Sequence, residues 1–451
     1  MIKKLITLLT LAPGIVSAAT QVDSNVALNM LREQEKHFEQ RVIQLTENVF
    51  VAVGFHGANT SMIVGTDGVI IVDTLMGPTA AGNAVKAFRQ YSDKPVKAII
   101  YTHSHADHTG GASAFVGDQV PVVYAMKDFG SATGVGRDLG PIMMKRGVRQ
   151  FGRNLPSQQM TNRGVAAAGT IDKDRGKGHL PPTVLITGDT KLTIAGVDLE
   201  IYSAPGETDD ALFVWLPEER VLFAGDNFYH AFPNLYAIRG TGYRNVLNWS
   251  TSVARMATFE PDHLVGGHTS PLSGRELATI ALREYSEAIR AVYDQTIRGI
   301  NLGKGPDLIA HEVKLAANAV NKPYLIEFYG SISHAVRAIY SGLLGWYDGN
   351  PVSLNRLHPR DEAEKVARLA GGIKKLERKT RAAMKAGEFQ WALELTDSLK
   401  WLGRAERESA REIKIAALRA LASQEYNAPN RNYYLSYANE LESGKLDDIW
   451  F

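Results

Sequence analysis

The feature that most constrains this chain is a dense group of histidines and one aspartate directly after a short apolar segment. An apolar run at residues 96–100 is followed, within six positions, by the potential ligands His103, His105, Asp107 and His108. Three imidazoles and a carboxylate packed this closely behind a buried strand are poorly solvated unless a cation lies between them, and a divalent metal ion is the usual cation. The pattern therefore predicts a strand that ends in a metal site.

The spacing of these ligands suits two metal ions better than one. His103 and His105 are separated by one residue, so at the end of an extended strand both side chains lie on the same side. Asp107 and His108 lie just before the turn at residues 110–111 and can contact a second ion. A solvated polar loop is the alternative, but four ligand-type side chains in six positions favour the metal site.

In this motif the chain resembles the metallo-β-lactamase superfamily, and further segments extend the resemblance. An Asp-Gly turn joins the apolar segments 59–64 and 68–74, which look like the opening hairpin of that family. Later in the chain, an apolar run at residues 221–225 and another that ends in His268 look like further strands of the same domain. The resemblance implies an α/β fold, an αβ/βα four-layer metallo-β-lactamase sandwich, for the catalytic domain at residues 20–280.

One departure from the superfamily pattern narrows the resemblance to the alkylsulfatase branch. Most of the superfamily has a histidine at the position of Glu207, whereas the alkylsulfatases use a glutamate there as a ligand of the first metal ion. The resemblance implies the ligands His103, His105 and Glu207 for one ion, Asp107, His108 and His268 for the other, and Asp226 as the bridge between them. Asp226 differs from the branch, which usually has a glutamate. From the residues alone, Glu207 could instead be an exposed turn carboxylate.

The chemistry of the ligands favours zinc. All of them offer oxygen or imidazole nitrogen, and the chain contains no cysteine. Two Zn²⁺ ions per chain are therefore predicted, with iron and manganese as open alternatives. Asp73, at the end of the opening hairpin, is interpreted either as a buried carboxylate that supports the site or as a strand-end cap.

The segment after Asp226 indicates the substrate. Residues 234–240 resemble the Asn-Leu-Tyr…Arg-Gly segment of the alkylsulfatases, in which the asparagine and the arginine hold the sulfate oxygens. A guanidinium offers two parallel donors to a tetrahedral oxyanion, and an amide adds a third donor without extra charge. Asn234 and Arg239 are therefore predicted to bind a small-molecule sulfate ester. Without the resemblance, the alternative is that Arg239 pairs with a surface carboxylate.

The last third of the chain resembles the helical dimerisation domain of the alkylsulfatases. Residues 281–451 are assigned to this all-α domain, and the segments 359–386 and 389–402 place apolar residues at helical intervals. The resemblance predicts a homodimer, and it implies that a histidine of this domain reaches the active site. His334 is the candidate, either as a catalytic proton donor or as a helix-packing residue.

A long irregular segment interrupts the predicted sandwich. Residues 152–182 are rich in glycine, proline, asparagine and lysine and show little periodicity. A passive connection rarely needs this length, so the segment is interpreted as a lid or as an arm that wraps a second subunit.

The amino terminus resembles a secretory signal. Lys3 and Lys4 precede an apolar stretch that ends in small residues at 17–19, and the stretch is too short to cross a bilayer. Residues 1–19 are therefore predicted to be a signal peptide that directs the protein to the periplasm or out of the cell. No other run is predicted to span a membrane, and a net charge of +2 provides no basic field for nucleic acid.

These interpretations predict a dinuclear-metal hydrolase that cleaves alkyl sulfate esters to alcohol and sulfate through a metal-bridging hydroxide, with Asp226 and His334 as catalytic residues. Either the C–O or the S–O bond could break. The nearest alternative is a periplasmic metallo-β-lactamase-type hydrolase acting on β-lactams or another ester or amide. Asp226 keeps that alternative open, as does the lack of a recognisable sterol-carrier-like domain, which many alkylsulfatases have. A non-catalytic metal-binding protein is a more distant alternative.

Overall fold

Two β-sheets packed face to face form the centre of the amino-terminal part of the chain. The computed structural model describes residues 24–131, 138–168 and 173–446, so the predicted signal peptide lies outside the described residues. The strands are β1 (Arg41–Gln44), β2 (Val49–Val53), β3 (Thr60–Val64), β4 (Val69–Val72), β5 (Val96–Ile100), β6 (Val122–Met126), β7 (Val184–Ile186), β8 (Thr190–Ile194), β9 (Val197–Ser203), β10 (Leu212–Leu216), β11 (Val221–Gly225), β12 (His263–Gly266) and β13 (Leu272–Ser273).

The α-helices lie outside the sheets and make up the carboxyl-terminal part. They are α1 (Ser24–Gln34), α2 (Pro78–Phe88), α3 (Ala106–Thr109), α4 (Gly140–Gln150), α5 (Val246–Ala257), α6 (Arg275–Asn301), α7 (Pro306–Glu312), α8 (Ile332–Leu344), α9 (Pro359–Leu369), α10 (Ile373–Lys385), α11 (Phe389–Leu399), α12 (Arg404–Ser423) and α13 (Ala428–Glu442). Short 3₁₀ turns occur at Glu35–Phe38, Ala112–Phe115, Ser157–Gln159 and Pro351–Ser353.

The order of the strands places two sets of parallel strand ends at one edge. The first sheet runs from β1 to β7 in chain order, and its strands pair in parallel from β4 onwards. The second sheet has the order β13-β12-β11-β10-β9-β8, and β11 and β12 are its parallel pair. Helices cover the outer faces of both sheets, which confirms the predicted αβ/βα four-layer sandwich followed by a helical region.

Alternation of side chains along the strands explains how the first sheet is buried on both faces. In β2, Val49, Val51 and Val53 face the second sheet, whereas Phe50 and Ala52 face α2. Successive side chains of a strand point to opposite faces, so an uninterrupted apolar strand indicates a sheet with helices on one side and a second sheet on the other. The apolar runs in the sequence thus correspond to strands inside a layered core.

The outer face of the second sheet packs against α5 and α6. Trp249 of α5 is fully buried, and α6 adds Tyr285 and Ile289 to the same apolar cluster. This cluster also contains Phe213 of β10 and Ile339 of α8, so one core extends from the sandwich into the first helices of the carboxyl-terminal part. The predicted domain boundary at residue 280 falls inside α6 and remains a prediction.

The remaining helices, α9 to α13, pack on one another in chain order around a separate apolar cluster. Leu376 of α10, Leu399 of α11, Ile413 of α12 and Leu441 of α13 lie in that cluster. Apolar residues at helical intervals, with charged residues between them, explain this packing. Within the described part of the chain, no helix has both the length and the apolar character that a membrane span needs.

Candidate metal centre

The predicted ligands converge where strands from both sheets end. His103 and His105 follow β5, Asp107 and His108 belong to α3, Glu207 lies in the loop from β9 to β10, Asp226 follows β11, and His268 follows β12. Backbone hydrogen bonds join the sheets at this edge: the Leu212 amide donates to the Thr102 carbonyl at 2.8 Å, and the Asn59 amide donates to the Gly267 carbonyl at 2.7 Å. Segments far apart in sequence therefore meet at one place.

The first group of predicted ligands lies around the side of Asp226 that faces Glu207. His103 Nε2 is 3.0 Å from His105 Nδ1 and 3.6 Å from Asp226 Oδ2. His105 Nδ1 lies 3.7 Å from Glu207 Oε1. One ligand atom from each of His105, Glu207 and Asp226 lies within 4.8 Å of the others, which is the separation expected of atoms that bind one ion.

The second group lies on the other side of Asp226. His108 Nε2 and His268 Nε2 are each 3.3 Å from Asp226 Oδ1, and His268 Nε2 is 3.7 Å from Asp107 Oδ2. Asp107, His108 and His268 form a set of potential ligands of one ion. Asp226 thus stands between the two groups, as a bridging ligand would.

Unpaired polar atoms test whether these residues fit metal ions. Among the described residues, His108 Nε2, Glu207 Oε2 and Asp226 Oδ1 are buried without a hydrogen-bond partner. A buried polar atom without a partner is costly, and ligation of a cation would satisfy all three atoms. The donor set fits divalent metal ions bound by imidazole and carboxylate.

Contacts behind the ligands orient two of the imidazoles. The Asp73 carboxylate lies 2.7 Å from His108 Nδ1 and accepts hydrogen bonds from the Thr102 amide and hydroxyl, both at 2.8 Å. His268 Nδ1 lies 2.7 Å from the Gly57 carbonyl. Each contact leaves Nε2 free to bind a metal, which is a common way to fix a ligating histidine. Of the two interpretations of Asp73, the structure favours the buried supporting carboxylate.

Replacing the Asp73 carboxylate tests this orientation. We expect Asp73→Asn to weaken metal binding by about 10–100-fold, because the amide cannot hold the His108 ring as the carboxylate does. Competition with a chelator, followed by metal analysis, measures the change. Asp67→Asn is the matched control, since Asp67 is 67% exposed in the turn between β3 and β4. Equal metal affinity in both variants would contradict a supporting role of Asp73.

Burial and opposite charge shift the pKa values of the ligands. Burial disfavours the charged form of Asp226, but the neighbouring His268, His108 and His103 outweigh it and hold the Asp226 pKa well below its usual range. Burial likewise opposes protonation of His268, yet Asp226 and Asp107 raise its pKa to about 9. The carboxylates therefore stabilise positive charge at the position that a cation would occupy.

Glu207 has a second partner that the sequence analysis did not identify. Arg244 Nη2 lies 2.9 Å from Glu207 Oε1, and both side chains are 4% exposed. Arg244 also donates to the Asn234 carbonyl. Burial raises the pKa of Glu207 to about 7 even though Arg244 opposes the shift. The alternative of an exposed turn carboxylate is therefore wrong, and Arg244 links Glu207 to the segment with the predicted substrate ligands.

The two predicted substrate ligands lie near the ligand cluster in different ways. Arg239 lines the cavity that also contacts His105, Asp107 and Glu207, and no described carboxylate lies within ion-pair distance of it. Asn234 is 3% exposed, and its Nδ2 has no partner among the described residues. It is not one of the described residues that line the cavity. The structure thus places one predicted donor, Arg239, at the cavity, whereas the other, Asn234, is buried and joined to the ligand cluster through Arg244.

His334 is the third residue with a predicted role in the reaction. It belongs to α8, and it is not among the described residues that line the cavity. Burial and the nearby Arg337 lower its pKa to about 4, so it is neutral near pH 7 and poorly suited to donate a proton. Its catalytic role stays a prediction, and within residues 24–131, 138–168 and 173–446 no hydrogen bond or ion pair joins it to the predicted ligands.

The cavity beside the ligands encloses about 100 Å³ and opens to solvent. Tyr329, which precedes α8, contributes to its wall, as do Arg153, Arg163 and Arg175 from the irregular segment 152–182. That segment therefore lines the site, although it has no periodicity from which its position could be predicted, and nothing near its arginines in the sequence indicates that they line a cavity.

Two protein-family models match this chain, one in each part. Residues 53–268 match the model described as "Metallo-beta-lactamase superfamily", and residues 306–444 match the model described as "Alkyl sulfatase dimerisation". The chain is 34% identical over 394 residues to a linear primary-alkylsulfatase of a Pseudomonas species, with 86% of this chain and 74% of that protein covered. It is also 29% identical to an alkyl/aryl-sulfatase of Saccharomyces cerevisiae, covering 92% of this chain and 66% of the yeast protein.

A solved structure has the same fold as this chain. The structure described as a stereoselective inverting sec-alkylsulfatase from a Pseudomonas species superposes with a TM-score of 0.85 at 27% sequence identity. The superposition covers 95% of this chain and 69% of that protein. The similarity therefore extends over the sandwich and the helices together.

Proposed function

Since this chain belongs to the alkylsulfatase family of the metallo-β-lactamase superfamily, we propose that it hydrolyses alkyl sulfate esters to an alcohol and inorganic sulfate. The observation that supports this most directly is the position of Arg239, which lines the same cavity as the predicted metal ligands His105, Asp107 and Glu207. A guanidinium beside a metal centre suits an oxyanion such as a sulfate ester.

We propose two zinc ions as the cofactor. His103, His105 and Glu207 would hold one ion, Asp107, His108 and His268 the other, and Asp226 both. When bound, such ions lower the pKa of water and supply hydroxide near neutral pH. The protein's own residues would then orient the ester: Arg239, which lines the cavity, would bind sulfate oxygens, and the buried Asn234, whose Nδ2 has no partner among the described residues, remains a candidate for a further donor.

We propose that the C–O bond of the ester breaks. Hydroxide forms a new bond to carbon, the ester C–O bond breaks, and sulfate leaves with the electron pair. Sulfate is a weak base and needs no proton on departure, whereas an alkoxide formed by S–O cleavage would need an acid. His334, the predicted acid, does not line the cavity among the described residues, and the similar solved structure is described as inverting.

Assays with three substrates test the function. We expect the metal-loaded protein to release sulfate from dodecyl sulfate or from a short secondary alkyl sulfate, and to leave a cephalosporin intact. In ¹⁸O-labelled water, C–O cleavage places the label in the alcohol. Cephalosporin turnover without sulfate release would instead support the β-lactamase alternative, and label in the sulfate would show S–O cleavage.

Three further assignments belong to this proposal. The match to the dimerisation description supports a homodimer, and the composition of residues 1–19 supports a signal peptide and a location in the periplasm or outside the cell. Light scattering checks the first assignment. Sequencing the amino terminus of protein recovered from each cell fraction checks the other two.

A further inference from the structure

The helix α4 packs along the segment that contains Arg239. The Gln150 side-chain carbonyl, at the end of α4, accepts a hydrogen bond from the Arg239 amide at 2.8 Å. One turn earlier, the Arg146 guanidinium donates to the Ile238 carbonyl at 2.6 Å. A Cβ on Gly147 would lie 3.9 Å from Arg239 Cδ, so the backbone of the helix passes beside the Arg239 side chain. The helix therefore holds the backbone of the predicted sulfate ligand and lies alongside its side chain.

Gln150 is the residue of α4 that bonds to Arg239 itself. It is 1% exposed, and its Nε2 has no partner among the described residues. An acceptor held at the Arg239 amide fixes the place from which the Arg239 side chain leaves the backbone. The guanidinium lines the cavity beside His105, Asp107 and Glu207, so a shift of the backbone would displace its donors relative to the predicted metal ligands.

Polar contacts hold α4 in its place. The buried residues of the helix are Gly147, Arg149 and Gln150, whereas its apolar side chains are at most partly buried. On α13, Glu440 binds the Arg149 guanidinium through both carboxylate oxygens, at 3.1 Å from Nε and 2.5 Å from Nη2. The same guanidinium lies 4.7 Å from the centre of the Tyr437 ring. A buried ion pair thus joins α4 to the last helix of the carboxyl-terminal part.

The geometry of this ion pair suits a fixed arrangement of two helices. Arg149 is 2% exposed, and the Glu440 side chain is 18% exposed. Two parallel donors on two oxygens fix the orientation of α4 relative to α13 more tightly than a contact between two point charges does. Removal of one charge would leave the other poorly solvated, so we expect α4 to shift when the pair is broken.

We propose that Gln150 is a positioning residue for the sulfate-binding Arg239, and that the Arg149–Glu440 ion pair holds α4 where Gln150 can act. This inference rests on the proposed hydrolysis of sulfate esters. Neither Gln150 nor any residue of α13 is among the described residues that line the cavity. Their contribution to substrate binding therefore comes through Arg239, and the helical region takes part in binding a sulfate that it does not contact.

A double-mutant cycle tests the role of Gln150, using the metal-loaded full chain and an alkyl sulfate. Gln150→Met removes the acceptor at nearly the same size, and we expect kcat/KM to fall by about tenfold, the effect of one hydrogen bond, mainly through KM. In Arg239→Ala the same substitution should lower kcat/KM by less than about twofold, because the residue that it positions is absent. Gln150→Glu keeps an acceptor oxygen and should retain most of the activity. Gln390→Met, at an exposed glutamine of α11, is the matched control.

A second substitution tests the ion pair. Glu440→Gln leaves Arg149 without its carboxylate and should raise KM in the same way, again with little effect in Arg239→Ala. Glu442→Gln, two positions later at a side chain 57% exposed, should match the wild type. Circular dichroism establishes that each variant is folded. If Glu440→Gln is not, Arg149→Lys takes its place, since it keeps a charge but loses the paired donors.

Three results would overturn the role of Gln150: wild-type kcat/KM in Gln150→Met, an equal loss in the wild-type and Arg239→Ala backgrounds, or loss of bound metal from Gln150→Met. The second of these would indicate a general structural role. Wild-type kinetics in the Glu440 or Arg149 variant would overturn the role of the ion pair. If the wild type hydrolyses no sulfate ester, the proposed function itself fails, and with it the substrate assigned to Arg239.

Discussion

Asp226→Asn is expected to lower sulfate-ester hydrolysis by on the order of a thousandfold and to reduce the metal bound per chain. Among the residues that the structure describes, Asp226 lies close to both groups of predicted ligands, since its two oxygens are 3.3 Å from His108 and His268 and 3.6 Å from His103. An amide of the same size has one oxygen and no charge, so it cannot serve both positions. Metal analysis and sulfate release from the same preparation measure the two effects.

A control variant changes the charge at a position away from the predicted ligands. Asp198→Asn removes an exposed carboxylate on β9 that accepts a hydrogen bond from the Thr193 hydroxyl, and it should leave metal content and activity at wild-type values. Asp226→Glu retains the charge and should keep part of the bound metal. Full metal content and full activity in Asp226→Asn would show that the two groups of ligands do not share this carboxylate.

Arg239→Ala is expected to lower kcat/KM for alkyl sulfates by about 10²–10³-fold while the bound metal stays unchanged. Arg239 lines the cavity, but it contacts none of the predicted metal ligands through an ion pair in the described part of the chain. Loss of its guanidinium therefore removes substrate donors and leaves the metal ligands in place. Steady-state kinetics together with metal analysis separate these two outcomes.

Two further variants serve as controls for the Arg239→Ala result. Arg239→Lys retains a charge but not the planar pair of donors, so its activity should lie between those of wild type and the alanine variant. Arg255→Ala removes a guanidinium that is 41% exposed on α5, and its kinetics should match the wild type. Loss of metal in Arg239→Ala would show that the residue supports the metal centre and not the substrate.

Much of the candidate metal site could be predicted because four of its potential ligands are local in sequence. His103, His105, Asp107 and His108 lie within six positions that follow an apolar run. A local pattern of that kind can be recognised without knowledge of the fold. Glu207 and His268 are distant in sequence, yet each follows a strand, so a family resemblance was enough to place them. Their convergence at one edge depends on the order of the strands in two sheets.

The residues that sequence reasoning missed act through contacts between distant segments. Arg244 acquires its role from a buried ion pair with Glu207, thirty-seven positions away, and nothing in its own neighbourhood indicates that partner. Arg163 lies in an aperiodic turn that is fixed by α1 and by the chain before α8. His334 is the reverse: the resemblance made it a candidate proton donor, but it is not among the described residues that line the cavity.

The long helix α6 couples the unfolding of the sheets to the unfolding of the first carboxyl-terminal helices. Because Tyr285 and Ile289 belong to the same apolar core as Phe213 and Ile339, neither the sheets nor the first carboxyl-terminal helices can separate without exposing that core to water. The Tyr285 hydroxyl also donates to the Ala231 carbonyl, three residues before Asn234. Heating or denaturant should therefore unfold the segment with the predicted sulfate ligands and this part of the helical region in a single cooperative transition.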